Sequence, residues 1–192
     1  KNSKPFKSNK GLFENSVHGQ IPKEWHFETL QNATTVIDCL NSKKPDTLSE
    51  DTGNLLLQVY NIAEDGILDL TEKYFITNEQ YKVWTRNIEA VEGDCLITNT
   101  GRVGAVAQIP FFGNFAVGRN ITAVRPNNVK VTPAYFINYL LSAYMQIETY
   151  RETDIGTILD SLNVKGIKKV NILIPPNDVI EKYESFARPI RK

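Results

Sequence analysis

The 192-residue chain has only two cysteines, Cys39 and Cys95, and two histidines, His18 and His26. So small a stock cannot build a disulfide framework or a four-ligand zinc site, and it points to a reducing compartment. No apolar run approaches the roughly 18 residues that a membrane-spanning helix needs. The amino-terminal stretch is rich in Lys and Asn and lacks the apolar core of an export signal, so a soluble, cytoplasmic protein is expected. A chain that begins at Lys1 rather than Met is expected to be a piece of a longer protein. Charge of one sign is missing too, because 22 Lys and Arg balance 22 Asp and Glu. Bulk attraction to a polyanion is thereby excluded. Nucleic acid would have to be held by a local patch or with a partner's help.

Catalytic patterns are equally scarce. A Mg²⁺-dependent nuclease of the common restriction type needs a Glu-x-Lys or Asp-x-Lys triplet to hold the metal and polarise water, and none occurs. An amino-methyltransferase needs an Asn/Asp-Pro-Pro-aromatic loop to grip the target amine. Here Ile174-Pro175-Pro176-Asn177 lacks both flanking residues and reads as a strand terminator. There is no G-x-x-x-x-G-K-[ST], no G-x-S-x-G and no H-E-x-x-H. His18 and His26 lie in or beside a polar leader and read as solvated, while Cys39 and Cys95 read as buried structural thiols. No catalytic residue, metal site or cofactor is expected on this chain.

What is present suffices for one ordinary domain: 41% of the residues are hydrophobic and 10% aromatic, enough to bury a core. Charge is unevenly spread, with net +3 over 1–26, −7 over 27–72, +1 over 73–119 and +3 over 120–192. Residues 1–24 are Lys-rich and broken by Pro5, Gly11, Gly19 and Pro22, the composition of a linker or docking strap. From Trp25 to about 125 short β-rich runs dominate: 55–62, 73–77, 94–99, 103–109 and 120–126. Residues 64–70 read as a turn, and two strands are expected to join around Asn99–Gly101. Thr132-Pro133 then predicts a helix start capped by the Thr hydroxyl. Tyr135, Phe136, Tyr139, Leu140, Ala143, Tyr144 and Ile147 predict one helix of four to five turns packed on the sheet. A strand at 170–174 follows. Asp178 and Glu181 read as a capping box for a last helix whose stripe is Val179, Ile180, Tyr183, Phe186, Ala187 and Ile190, with Pro189 inside it. An apolar stripe left unfinished points to a continuation or a partner helix.

The polar loops carry base-reading chemistry, since Asn can pair bidentately with adenine and Arg with guanine. Asn99, Thr100 and Arg102 at the tip of one turn are the leading candidates. Lys43, Lys44, Asn61, Arg86, Asn87, Arg119 and Asn120 supply similar groups on other polar stretches. Gly101-Arg102-Val103-Gly104 suits either a backbone cradle for phosphate or a tight hairpin that needs positive φ. Thr98 and Asn99 could instead stabilise their own hairpin.

Three signatures in order carry a resemblance: Gly19-Gln20-Ile21-Pro22-Lys23-Glu24-Trp25, then Glu92-Gly93-Asp94-Cys95-Leu96-Ile97-Thr98-Asn99-Thr100-Gly101-Arg102-Val103-Gly104, and Gly156-Thr157 through Ile174-Pro175-Pro176. Together they resemble a target recognition domain of a type I restriction-modification specificity subunit, and the Lys4-Pro5-Phe6-Lys7-Ser8 lead is similar to the linker before a second such domain. The resemblance implies an α+β fold: a β-rich recognition domain with packed helices at 25–176, a strap at 1–24, and the start of a conserved coiled-coil-type spacer helix at 177–192. It implies a non-catalytic module reading one half of a split double-stranded DNA target from the major groove. The implied partners are methyltransferase subunits, which bind S-adenosylmethionine, a restriction subunit, and a second recognition domain or a second copy paired through the spacer helix. Two other readings stay open: the recognition domain of a single-chain restriction-methyltransferase, and an assembly domain that does not bind DNA.

Overall fold

The computed structural model describes residues 12–16, 19–39, 43, 46–110, 113–156 and 158–191. In chain order the described elements are β1 (Phe13–Ser16), β2 (Gly19–Pro22), β3 (His26–Thr29), α1 (Leu30–Ala33), β4 (Thr34–Asp38) and β5 (Asn54–Leu57). A 3₁₀ turn at Val59–Asn61 leads on to α2 (Asn78–Trp84), β6 (Cys95–Thr98), β7 (Val106–Gln108), β8 (Asn114–Val117) and β9 (Ile121–Pro126). The helices α3 (Pro133–Leu140), α4 (Ala143–Arg151) and α5 (Val164–Lys169) follow, then β10 (Asn171–Ile174), α6 (Asn177–Ala187) and a closing 3₁₀ turn. This is the α+β architecture expected, although short strands at 55–62 and 73–77 are replaced by β5 plus the 3₁₀ turn and by two isolated bridges at Phe75, to Leu48 and Leu55. No helix among the described residues is long and apolar enough to cross a membrane.

The central sheet runs β4-β9-β6-β7, antiparallel throughout, with Cys95 opposite Val124 and Leu96 opposite Ala123. All four residues of β6 are buried. Successive side chains of a strand point to opposite faces, and here each face meets a separate apolar layer. Cys95, Ile97, Val106 and Val124 join Phe136, Ile137 and Leu140 of α3 and Ile172 of β10 on one side. Leu96, Ala107 and Ala123 join Leu57, Phe115 and Val117 on the other. That second layer is the parallel pair β5–β8, whose outward Leu56 and Ala116 pack beneath Trp84 of α2 and Ile76. A separate pair, β3–β10, carries the helical side, and β1–β2 forms a hairpin within the segment expected as a strap.

Helix ends differ from expectation in instructive ways. The single helix predicted from Thr132 is two, because the Ser142 hydroxyl accepts from the Met145 amide and starts α4 afresh. Thr132 does not cap α3. The Ala134 amide is instead satisfied at 2.8 Å by the Glu184 carboxylate, reaching over from α6. The Asp178/Glu181 capping box is also absent: Pro176 holds the N-cap position, and Asp178 pairs with Lys182 one turn on. An acidic first turn still suits the positive end of the helix dipole. Tyr135 of α3 donates to the Leu173 carbonyl and meets the Tyr183 ring edge-on at 5.8 Å, so α6 is gripped by both a carboxylate and an aromatic contact.

Two polar anchors lock the sheet. Asp94, 1% exposed, receives Arg125 Nε and Nη2 at 2.8 and 2.7 Å and also accepts from the Val91 amide. The bidentate hydrogen bond to Asp94 raises the Arg125 pKa further. At the other end of β6, the Asn99 amide group donates to Thr122 Oγ1 and to the Leu162 carbonyl, while Leu162 N donates to the Asn99 carbonyl. One asparagine thus ties β6, β9 and the segment before α5 together. Arg125→Met should lower unfolding free energy by about 3 kcal/mol in urea titrations, since it strands a buried carboxylate. Asn99→Ala should cost about 1–3 kcal/mol by the same measurement, the range for buried partners left unpaired.

Candidate nucleic-acid interface

A sheet covered on both faces leaves its chemistry to the turns at strand ends. Between β6 and β7 the chain reverses over 99–105. The Thr98 hydroxyl accepts from the Ala105 amide and bonds the Arg102 carbonyl, while Gly104 N donates to the Thr98 carbonyl. Gly101 and Gly104 both adopt positive φ, and a Cβ on Gly104 would lie 2.6 Å from Thr149 Cγ2. The close approach of α4 therefore explains that glycine, and of the two readings of the Gly101–Gly104 stretch the hairpin is the one built.

The β8–β9 turn lies beside it. Gly118 N donates to the Leu57 carbonyl, whose oxygen would stand 2.4 Å from any Cβ at that position. Asn120 takes φ +61, a left-handed conformation that Asn tolerates better than most residues. Its carbonyl accepts from the Asn99 amide at 2.7 Å, so the two turns are joined backbone to backbone. Arg119 and Asn120 are exposed at the crest. They form the ridge between a cleft of about 260 Å³, shared with Tyr60, Thr100, Gly101 and Leu159, and one of about 730 Å³ that includes Asp38, Asn163 and Lys165.

Of the ten residues singled out in the sequence, the structure brings Thr100, Arg119 and Asn120 together. Asn99 stands at the same place, but its amide is spent on the internal bonds described above. Asn61 is buried, donating to the Asp69 and Glu72 carbonyls and accepting from the Gln58 amide, so it shapes the 3₁₀ turn rather than facing outward. Arg102 is exposed, yet Nη2 donates to the Ile62 carbonyl, and the residue lines neither cleft. Arg86 and Asn87 are exposed beyond α2, with Asn87 Nδ2 3.4 Å from the Cys39 carbonyl, and they too stand outside both clefts. Lys43 is exposed and lines neither cleft, and Lys44 falls outside the described residues.

Three residues at the site escaped sequence reasoning. Tyr60, 76% exposed, lies in a run that reads as strand until the Gln58–Asn61 capping box bends it into the 3₁₀ turn. Leu159 and Lys165 arrive from a segment some 40 residues further along the chain, with no local signal to betray it. The groups assembled are a guanidinium, a carboxamide and a hydroxyl, each able to hydrogen-bond a polar ligand such as a base edge. The site is poor in reactive groups. Burial pushes the Cys39 thiol up to about 11, so it stays protonated at neutral pH. Among the described residues no group of three His, Cys, Asp or Glu side chains could hold a metal ion.

No family model matches the chain. It is 21% identical over 189 residues to the type I restriction enzyme MjaIX specificity subunit of Methanocaldococcus jannaschii, an alignment covering 97% of this chain and 42% of the relative. The fold superposes on the HsdS subunit of Thermoanaerobacter tengcongensis with a TM-score of 0.63 at 18% identity, over 94% of this chain and 40% of that one. A chain from a structure on complex assembly and conformational transition of the type I restriction-modification system gives the same TM-score and identity, over 94% and 41%. The type I S subunit of M. genitalium gives 0.55 at 11% identity, over 87% and 38%. The chain therefore spans about two fifths of the length of the relatives it matches. In both sequence and fold, over nearly its whole length, the chain resembles a target recognition domain of a type I restriction specificity subunit.

Proposed function

We propose that this chain reads one half of a bipartite double-stranded DNA sequence and has no bond-making chemistry of its own. In this reading it directs methyltransferase subunits, and through them a restriction subunit, to that site. The observation that carries the reading is the ridge of Arg119 and Asn120, joined by a backbone bond to the turn bearing Thr100 and flanked by clefts on either side. A fixed backbone matters because a base edge is distinguished by hydrogen-bond geometry, and a turn already ordered loses less entropy on binding. The chain's zero net charge leaves part of the phosphate neutralisation to the methyltransferase subunits.

The last helix supplies the contact with a second recognition domain or a second copy. α6 turns Ile180 and Ala187 into the domain and leaves Val179, Tyr183, Phe186 and, in the following 3₁₀ turn, Ile190 exposed. Phe186 and Ile190 are 72% and 70% exposed. Tyr183 already rests edge-on against Tyr135, so Phe186 and Ile190 are the apolar side chains most available to that contact.

Mapping methylated sites in the genome of cells carrying the intact system tests the assignment. Exchanging this chain for another recognition domain should change one half of the methylated motif and leave the other half intact; an unchanged motif refutes it. Within the motif, Arg119→Ala or Asn120→Ala should cost the assembled complex about 1–3 kcal/mol and relax one base pair, if the side chain reads a base. A phosphate contact would weaken all duplexes alike and reduce the salt slope by about 1, and a salt titration separates the two.

A further inference from the structure

The segment between α4 and α5 is a closed loop with an apolar tip. Its neck is stapled by two reciprocal backbone bonds, Asp154 N to the Ser161 carbonyl at 2.8 Å and Ser161 N to the Asp154 carbonyl at 3.0 Å. Asn163 Nδ2 adds a bond to the Asp154 carboxylate, and the Asp160 carboxylate accepts from Gly156 N. A Cβ on Gly156 would sit 2.2 Å from the Leu159 carbonyl oxygen, so the loop closes too tightly for any other residue there. Ser161 also bridges to Thr100, and Leu162 is bound on both its backbone groups to Asn99. The loop is therefore anchored to the same turn that borders the clefts.

What this scaffold holds up is not polar. Ile158 is 97% exposed and Leu159 56% exposed, and Leu159 lines the cleft shared with Tyr60, Thr100, Arg119 and Asn120. Ile155, 62% exposed, is the loop's third aliphatic side chain, and three such side chains still fall far short of the roughly 1,000 Å² that a specific protein–protein interface buries. Their neighbours are hydrogen-bonding groups suited to base edges. One surface offers donors, acceptors and an isolated methyl group side by side: the DNA major groove, where thymine alone presents a C5-methyl.

Resting on the DNA-reading role proposed above, we infer that Ile158 and Leu159 form an apolar finger that recognises a thymine methyl group next to the bases read by Arg119 and Asn120. The bonds at the loop's neck and across Gly156 and Asp160 anchor the finger's base to the turn bearing Thr100, beside the groups that pair with base edges. Both side chains are exposed, and Ile158→Ser and Leu159→Ser leave the core untouched.

The test uses the complete specificity subunit assembled with its methyltransferase subunits, on duplexes carrying the motif obtained by methylation mapping. Replacing the contacted thymine by deoxyuridine should weaken binding by the wild-type complex about fourfold, the effect of one methyl-sized group left in water. The serine variants should bind the two duplexes equally, and their mapped motif should become degenerate at that A·T pair. Equal binding of thymine and deoxyuridine at every motif position by the wild type overturns the inference while leaving the DNA-reading role intact. Loss of methyltransferase co-purification in the serine variants, with the thymine preference kept, overturns it in favour of a protein contact. A methylated motif independent of this chain removes the DNA-reading role, and the finger with it.

Discussion

Burial of the central sheet on both faces governs this molecule. Cys95 and Ile97 face the helices while Leu96 faces the β5–β8 layer, so β6 has no surface on which to meet a ligand. Burial of that kind is favourable because apolar area leaves water on both sides of a single strand. It also confines polar side chains to the ends of strands. The β6–β7 and β8–β9 turns are the places where an Arg, an Asn and a Thr can stand in solvent above a rigid base.

Rigidity at those turns comes from polar groups satisfied internally. Thr98 bonds across its own hairpin, and Asn99 spends both ends of its amide on β9 and the loop before α5. A buried carboxamide left unpaired is expensive, so these partners must be present together or not at all. The same logic operates at α6, where the Glu184 carboxylate completes the free amino terminus of α3. The Tyr183 ring adds its contact with Tyr135, so the last helix is joined to α3 by both a carboxylate and an aromatic side chain.

Much of the fold was legible because it rests on periodicity and local chemistry. The hairpin around Asn99–Gly101, the strand closed by Pro175–Pro176, the proline at the start of α3 and the stripe of α6 follow from spacing and from proline's missing N–H. Cap assignments failed where the satisfying group came from a distance. Thr132 precedes Pro133 as a cap should, yet Glu184 reaches α3 from 50 residues away. Side-chain types gave the candidate readers, but could not separate Asn99 and Asn61, which point inward, from Asn120, which faces solvent. A carboxamide serves equally well in either place.

By itself, then, the amino-acid order determined the α+β class of the protein: the β-rich body, the helical end and the apolar stripe along the last helix. These follow from periodicity, turn chemistry and composition, which act over a few residues. Tertiary structure alone decided which polar side chains reach solvent together. Tyr60, Thr100, Arg119, Asn120 and Leu159 come from four separate stretches of the chain and converge only because strand pairing and a two-faced core fix where each stretch ends.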